Sequence, residues 1–81
     1  MAAVIRNAVY RHYKGQLYRV IEIAKHTETE EELVIYSAMH GDRLLWARPL
    51  AMFTGNVEIN GGVQRRFTYQ AMHHEAYSGS L

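Results

Sequence analysis

Between Gln16 and His40 the apolar positions fall into two short, dense runs, and the rest of the chain is read around them. Leu17-Tyr18-Arg19-Val20-Ile21-Glu22-Ile23-Ala24-Lys25 and Leu33-Val34-Ile35-Tyr36-Ser37-Ala38-Met39 are rich in aromatic and β-branched residues. Such side chains suit a pleated, half-buried surface. Period-two counting places Tyr18, Val20, Ala24 and His26 on one face of the first run, with Glu22 interrupting it. Leu17, Arg19, Ile21, Ile23 and Lys25 take the other face. In the second run Val34, Tyr36, Ala38 and His40 oppose Leu33, Ile35, Ser37 and Met39. Both faces are largely apolar along the middle, as expected of strands bent into a small barrel. Apolar residues at consecutive positions, rather than at 3.6 spacing, argue against a helix. The two runs predict a long antiparallel hairpin with the acidic loop His26–Glu32 at its tip.

The same reading extends outward. Val9-Tyr10-Arg11-His12-Tyr13 predicts a short strand, and Lys14-Gly15 turns it into the hairpin, glycine supplying the positive φ such turns need. His40-Gly41-Asp42 predicts a tight turn into a strand over Arg43–Arg48. Pro49, the single proline, has no N–H for a ladder and should end that strand. Leu50–Phe53 predicts one helical turn plugging an end of the barrel. Asn60-Gly61-Gly62 between Asn56–Ile59 and Val63–Thr68 is a strong hairpin signal. Residues 1–8 and 69–81 are expected to be flexible termini around one domain over residues 9–68. The fold class is therefore all-β: a small SH3-like barrel of five or six antiparallel strands with one short helical turn, with an OB-like barrel second.

Composition narrows this picture. The 81 residues suffice for one core, and 48% hydrophobic content is too high for a disordered chain. With no cysteine, disulfides, thiol chemistry and Cys-based zinc sites are excluded, and a cytoplasmic setting fits. No apolar run approaches the roughly 20 residues that span a bilayer, and Met1–Ile5 lacks the basic start of a signal peptide. The net charge of +1 gives no support for general polyanion binding. Its distribution is uneven. Residues 1–25 carry Arg6, Arg11, Lys14, Arg19 and Lys25 against Glu22, whereas residues 26–42 carry Glu28, Glu30, Glu31, Glu32 and Asp42 and no lysine or arginine.

A set of short motifs also carries a family resemblance. Tyr10-Arg11-His12-Tyr13-Lys14-Gly15, Tyr18-x-Val20, Ala24-x-His26-x-Glu28-Thr29, Val34-x-Tyr36, Trp46-x-Arg48-Pro49 and Met52-Phe53 occur in that order. Together they resemble the bacterial family catalogued as domain of unknown function 1653, over about residues 9 to 68. The resemblance implies a compact cytoplasmic domain, stand-alone or fused, of SH3-like fold, and carries over no functional residues. Val63-Gln64-Arg65-Arg66-Phe67 stands where the family is expected to show a proline before Arg-Phe, which bears on the geometry of the last strand.

Candidate chemistry is sparse. The sharpest set is Arg11, His12, Tyr13, Lys14, His26, Tyr36, Trp46 and Arg48. If these share a rim, arginine and lysine would hold an anion, tyrosine and tryptophan would stack a planar group, and histidine would add a charge switch. The bland alternative is that Tyr13, Tyr36 and Trp46 fill the barrel while Arg11 and Arg48 cover them with their stems. His26-Thr27-Glu28-Thr29-Glu30-Glu31-Glu32 offers donors for a divalent cation but matches no compact metal loop, so a solvated tip is preferred. Adjacent His73 and His74 point about 100° apart on a helix and make a poor ligand pair. No serine sits in a nucleophile elbow, and Gly61-Gly62 lacks the following helix of a phosphate loop. No cofactor or metal is called for, and no residue is assigned as catalytic.

Three functional readings follow. The first is a non-enzymatic binding module for a small anionic or planar ligand, a nucleic-acid strand or a peptide. The second is a protein-interaction or homodimer-forming module docking through a sheet edge or the Leu50–Phe53 turn. The third is a small enzyme pairing His12 or His26 with Glu28.

Overall fold

The computed structural model describes residues 3–72. Seven strands and one helical turn follow one another: β1 (Ala8–His12), β2 (Leu17–Lys25), β3 (Glu32–Ala38), β4 (Leu45–Pro49), α1 (Leu50–Phe53), β5 (Asn56–Ile59), β6 (Gly62–Arg65) and β7 (Phe67–Met72). Five strands form an antiparallel sheet in the order β4-β3-β2-β1-β7, and β5 and β6 form a separate hairpin. The expected closed barrel is not formed. The sheet ends on β4 and β7, which do not pair, and the chain between them is diverted into α1 and the β5–β6 hairpin.

The core lies on one face of the sheet. Ala8, Tyr10, Val20, Val34 and Tyr36 project from it, and Phe53 from α1 and Phe67 from β7 complete the cluster. Phe53 and Phe67 stack with ring centroids 4.0 Å apart, and Tyr10 and Tyr36 each meet Phe53 edge-on at 5.4 Å. Aromatic rings fill a small interior efficiently. Each buried one is worth about 1.5–3 kcal/mol from area alone, with roughly 0.5–1.5 kcal/mol more per well-placed pair.

Two bulges make this core possible. Val20 pairs with Tyr36 but Glu22 pairs with Ile35, so Ile21 is an extra residue in β2. Period-two counting puts Ile23 opposite Val20; the bulge turns Ile23 back onto the core face, where it packs beside Val34, its cross-strand partner. The Glu22 carboxylate serves the distortion, accepting the Ile23 amide at 3.0 Å and pairing with Arg6. The Ile23 N–H and the Arg6 guanidinium hold this carboxyl below its usual range. The second bulge lies between β1 and β7. Val9 pairs with Ala71 and Tyr10 with Tyr69, leaving Gln70 as the extra residue.

The last strand departs from expectation in two ways. The run Val63–Thr68 is not one strand, because it breaks at Arg66 into β6 and β7. The Arg66 amide donates to the Gly55 carbonyl at 3.0 Å, and its carbonyl accepts the Tyr13 amide at 2.9 Å. One residue thus ties the small hairpin to the end of α1 and to the turn after β1. Tyr69–Met72, assigned to the tail, continue β7 along β1. At the other end, Val4 packs against the core and the Ile5 amide donates to the Tyr10 hydroxyl at 3.1 Å.

Turns follow their residues. Asn60 and Gly61 have φ of 52° and 81°, the two positive values a type I′ hairpin requires. Pro49 ends β4, an edge strand, as a residue without an amide hydrogen must. α1 stops after one turn because the Thr54 amide and hydroxyl both return to the Leu50 carbonyl, at 3.0 and 2.9 Å. No helix among the described residues is long and apolar enough to cross a membrane.

Candidate binding groove

β1 presents its side chains alternately, so Tyr10 and His12 face the core side and Arg11 the other. Tyr10 is paired with Tyr18 on β2, and β3 brings Tyr36 alongside, opposite Trp46 on β4. This places Tyr18, Tyr36, Trp46 and Arg48 around a cavity of about 230 Å³. A second hollow of about 240 Å³ shares Tyr18 and Trp46 and continues to Gln16 and the turn His40–Leu44. The two form one groove at the end of the sheet. A larger cavity of about 360 Å³, lined by Val4, Tyr10, Phe53, Phe67 and Tyr69 with Arg65, lies beside α1 and the N-terminal segment. The smaller groove is the candidate because its wall sets the half-exposed Trp46 ring beside the Arg48 guanidinium.

The walls are fixed by packing. Tyr36 is buried and its hydroxyl accepts a hydrogen bond from Arg48 Nε at 3.1 Å. The Arg48 guanidinium sits 5.9 Å from the Phe67 ring centroid. Tyr18 meets Tyr36 edge-on at 5.4 Å and Phe67 at 5.8 Å. Trp46 remains 51% exposed, a large ring with one side free. The aromatics thus divide. Tyr36 belongs to the core, as the bland reading of the sequence expected, while Trp46 is left facing solvent.

His12 packs behind the Tyr18 wall. Its ring packs against Tyr13 at 4.4 Å, Phe67 at 5.0 Å and Tyr18 at 6.2 Å. Nδ1 accepts the Lys14 amide at 3.2 Å. In the neutral ring this leaves Nε2 carrying the hydrogen. Burial holds the imidazole below its ordinary value, and the positive fields of Arg48, Lys14 and Arg66 lower it further.

Tyr36, Trp46 and Arg48 line the groove, and His12 with Tyr13 and Lys14 lies behind its Tyr18 wall. Arg11 is not, because strand alternation exposes it on the opposite face. His26 is not either. It starts the β2–β3 loop, the length of a nine-residue strand away from Tyr18. There its Nδ1 accepts the Glu28 and Thr29 amides at 3.1 and 3.3 Å and stands 3.6 Å from the Glu28 carboxylate. Both side chains are exposed at the tip, at 42% and 79%, so this pair stands in no cleft, and His12 lies at the other end of the sheet from Glu28. Among the described residues no group of three or more His, Asp or Glu side chains is placed to hold a metal ion. His73-His74-Glu75 lies outside the described residues.

One groove residue, Tyr18, and one neighbour of His12, Arg66, escaped the sequence reading. Tyr18 was legible, since it lies on the same face of β2 as Val20. Arg66 depends on the break between β6 and β7, which no local pattern announces.

The profile of a family described as a protein of unknown function, DUF1653, matches residues 8–69. The chain belongs to the DUF1653 family. Among solved structures it is similar to a DUF1653 protein from Bordetella bronchiseptica, with 33% identity and a TM-score of 0.73 over 84% of this chain and 90% of that one. The search of curated proteins gave no match. The family's description names no function, and the chemistry of Tyr18, Tyr36, Trp46 and Arg48 follows from their placement.

Proposed function

We propose that this DUF1653 protein is a non-enzymatic binding module whose groove takes a small ligand combining a planar ring with an anionic group, nucleotide-like in character. The observation that carries this reading is the cavity walled by Tyr18, Tyr36, Trp46 and Arg48 with half of Trp46 exposed. An exposed indole beside an arginine held by a tyrosine hydroxyl suits ring stacking next to a charge. Among the described residues no nucleophile with an activating base lines it. An SH3-like origin for the opened sheet is part of the same reading, supported by the single helical turn ahead of the last strands.

Trp46 is the only tryptophan, so its fluorescence reports directly on the groove. Titration with nucleoside monophosphates should quench or shift it. Trp46→Ala, followed by NMR, should weaken that binding by roughly tenfold or more, since one stacked base is worth about 1–3 kcal/mol. Unchanged binding by Trp46→Ala would end the reading.

A second reading rests on β4. It is an edge strand bearing exposed Leu45 and Trp46, with exposed Leu44 just before it, and edge pairing with a second copy would cover them. Sedimentation at high protein concentration tests this. A dimer abolished by Leu45→Lys supports it, and a monomer at every concentration rejects it.

A further inference from the structure

The groove reading leaves the ligand's anionic group undefined, and the charges around His12 define it. Arg48 approaches from β4, Lys14 from the turn after β1, and Arg66 from the break between β6 and β7. Arg48 lies 5.9 Å from the Phe67 ring, which packs on His12 at 5.0 Å, and Lys14 Nζ lies 5.9 Å from the Tyr13 ring, which packs on His12 at 4.4 Å. The Arg66 carbonyl accepts the Tyr13 amide at 2.9 Å, so all three residues border one histidine. Among the described residues the ion pairs are Arg6–Glu22 and His26–Glu28, and neither involves this group. The Arg66 Nε is buried and donates to nothing. Arg48 uses Nε on Tyr36, and its two terminal nitrogens have no partner among the described residues. Three such cations with no counter-ion among the described residues repel one another, and an anion relieves that repulsion.

We propose, building on the groove reading, that Lys14, Arg48 and Arg66 form a phosphate site and that the ligand is a phosphomonoester carried by a planar base. One carboxylate is matched by one arginine fork, whereas a doubly charged phosphate with three acceptor oxygens matches three cations from three separate elements. The site also has a neutral donor in His12 Nε2–H, since Nδ1 is occupied by the Lys14 amide. The other groups around the ring are Tyr13 beside Lys14, Tyr18 on β2 and Phe67 on β7, none of them a carboxylate. A bound dianion offsets the cationic field and makes His12 easier to protonate, so binding should strengthen as pH falls toward the imidazole's titration.

The test is a heteronuclear NMR titration of the full chain with inorganic phosphate, a nucleoside and the matching nucleoside 5′-monophosphate, read at Trp46 and at His12, Lys14, Arg48 and Arg66. The monophosphate is expected to move both sets, to bind at least about tenfold more tightly than the nucleoside, and to raise the pH at which His12 titrates. Phosphate alone is expected to move only the basic set. Arg66→Gln should cost the monophosphate about tenfold while leaving the nucleoside unchanged, and Arg66→Lys should restore most of it. Equal affinity for nucleoside and monophosphate, with no phosphate response at His12, would overturn the phosphate site and leave the groove reading standing. A phosphate response at His12 with Trp46 silent to every ring would do the reverse. Silence at both sets would reject both.

Discussion

His12 and His26 make the same local bond: each Nδ1 accepts the amide two residues on, from Lys14 at 3.2 Å and from Glu28 at 3.1 Å. Everything beyond that bond differs. Around His26 the remaining polar groups are satisfied within the loop: Thr29 N–H also donates to the ring, Thr29 Oγ1 accepts the Glu31 amide, and Thr27 donates to Glu28. The tip is complete in itself and needs only water. Around His12 the neighbours come from β2, β4 and β7 and from two connections, and they bring rings and unneutralised cations. Turn chemistry alone therefore says little about a histidine's use. What separates the two is which distant segments the topology delivers to each.

The largest expected effect removes that delivery. Phe67 lies beneath His12, Arg48, Tyr18 and Tyr36 and stacks on Phe53, and it has no part in the tip. Phe67→Ala should lower stability by about 3–5 kcal/mol, read from urea denaturation, because it empties a packed site walled by rings that cannot easily collapse. Phe67→Leu keeps most of the volume and should cost less than about 1.5 kcal/mol. In that variant the His12 resonances should move while those of His26 stay in place. A small loss for Phe67→Ala would show that the groove end is not packed as described, and the contrast with the tip would fail.

That contrast also marks how far the residues could be read without coordinates. β2 and β5 have the bounds their patterns predicted, and Leu50–Phe53 is helical, because these depend on side-chain type and local turn chemistry. The larger errors involve partners far along the chain, whereas the ends of β1 and β4 were misplaced by one or two residues. Ile21 is extra only because of how β2 lies on β3, and Gln70 only because β7 returns to β1. A period-two count has no means of finding either. The break at Arg66 needs the Gly55 carbonyl and the Tyr13 amide, both distant in sequence. Barrel closure was inferred from strands apolar on both faces, and the second face proved to be only partly covered. In the candidate site, Arg11 could have been removed by alternation against His12, since the two are adjacent in one strand. His26 could not, because its distance from Trp46 is set by the length and direction of the hairpin.

The next effect uses protons to separate the two rings. His12 has a folded-state pKa below the unfolded value of about 6.5, first from burial and then from Arg48, Lys14 and Arg66. Below that pH the unfolded chain takes up a proton before the folded one does. The stability tied to neutral His12 is therefore present above about pH 6.5 and is lost as pH falls through the folded-state value. Urea melts across this range should show the decline. His12→Asn, which keeps an acceptor for the Lys14 amide, should flatten it, and His26→Asn should not. Added salt should reduce the slope without removing it, since salt screens the three cations but not burial. A decline abolished by His26→Asn instead would reverse the assignment.

The smallest effect is the one that tests the tip. His26→Ala deletes an acceptor used by the Glu28 and Thr29 amides and the 3.6 Å contact with the Glu28 carboxylate. Glu28 is exposed and the His26 side chain is partly so, so water replaces the lost acceptor, and such a solvated ion pair is worth about 0–1 kcal/mol even when the ring is charged. The change in stability should stay within about 0.5 kcal/mol, as for surface positions without a special role. Binding of a nucleoside monophosphate, followed through Trp46, should be unchanged, because a nine-residue strand separates the loop from the groove. Lost binding in a variant that melts normally would mean that the acidic tip reaches the ligand. In that case the two ends of the hairpin act on one site, and the division between a self-satisfied loop and an unsatisfied groove would have to be abandoned.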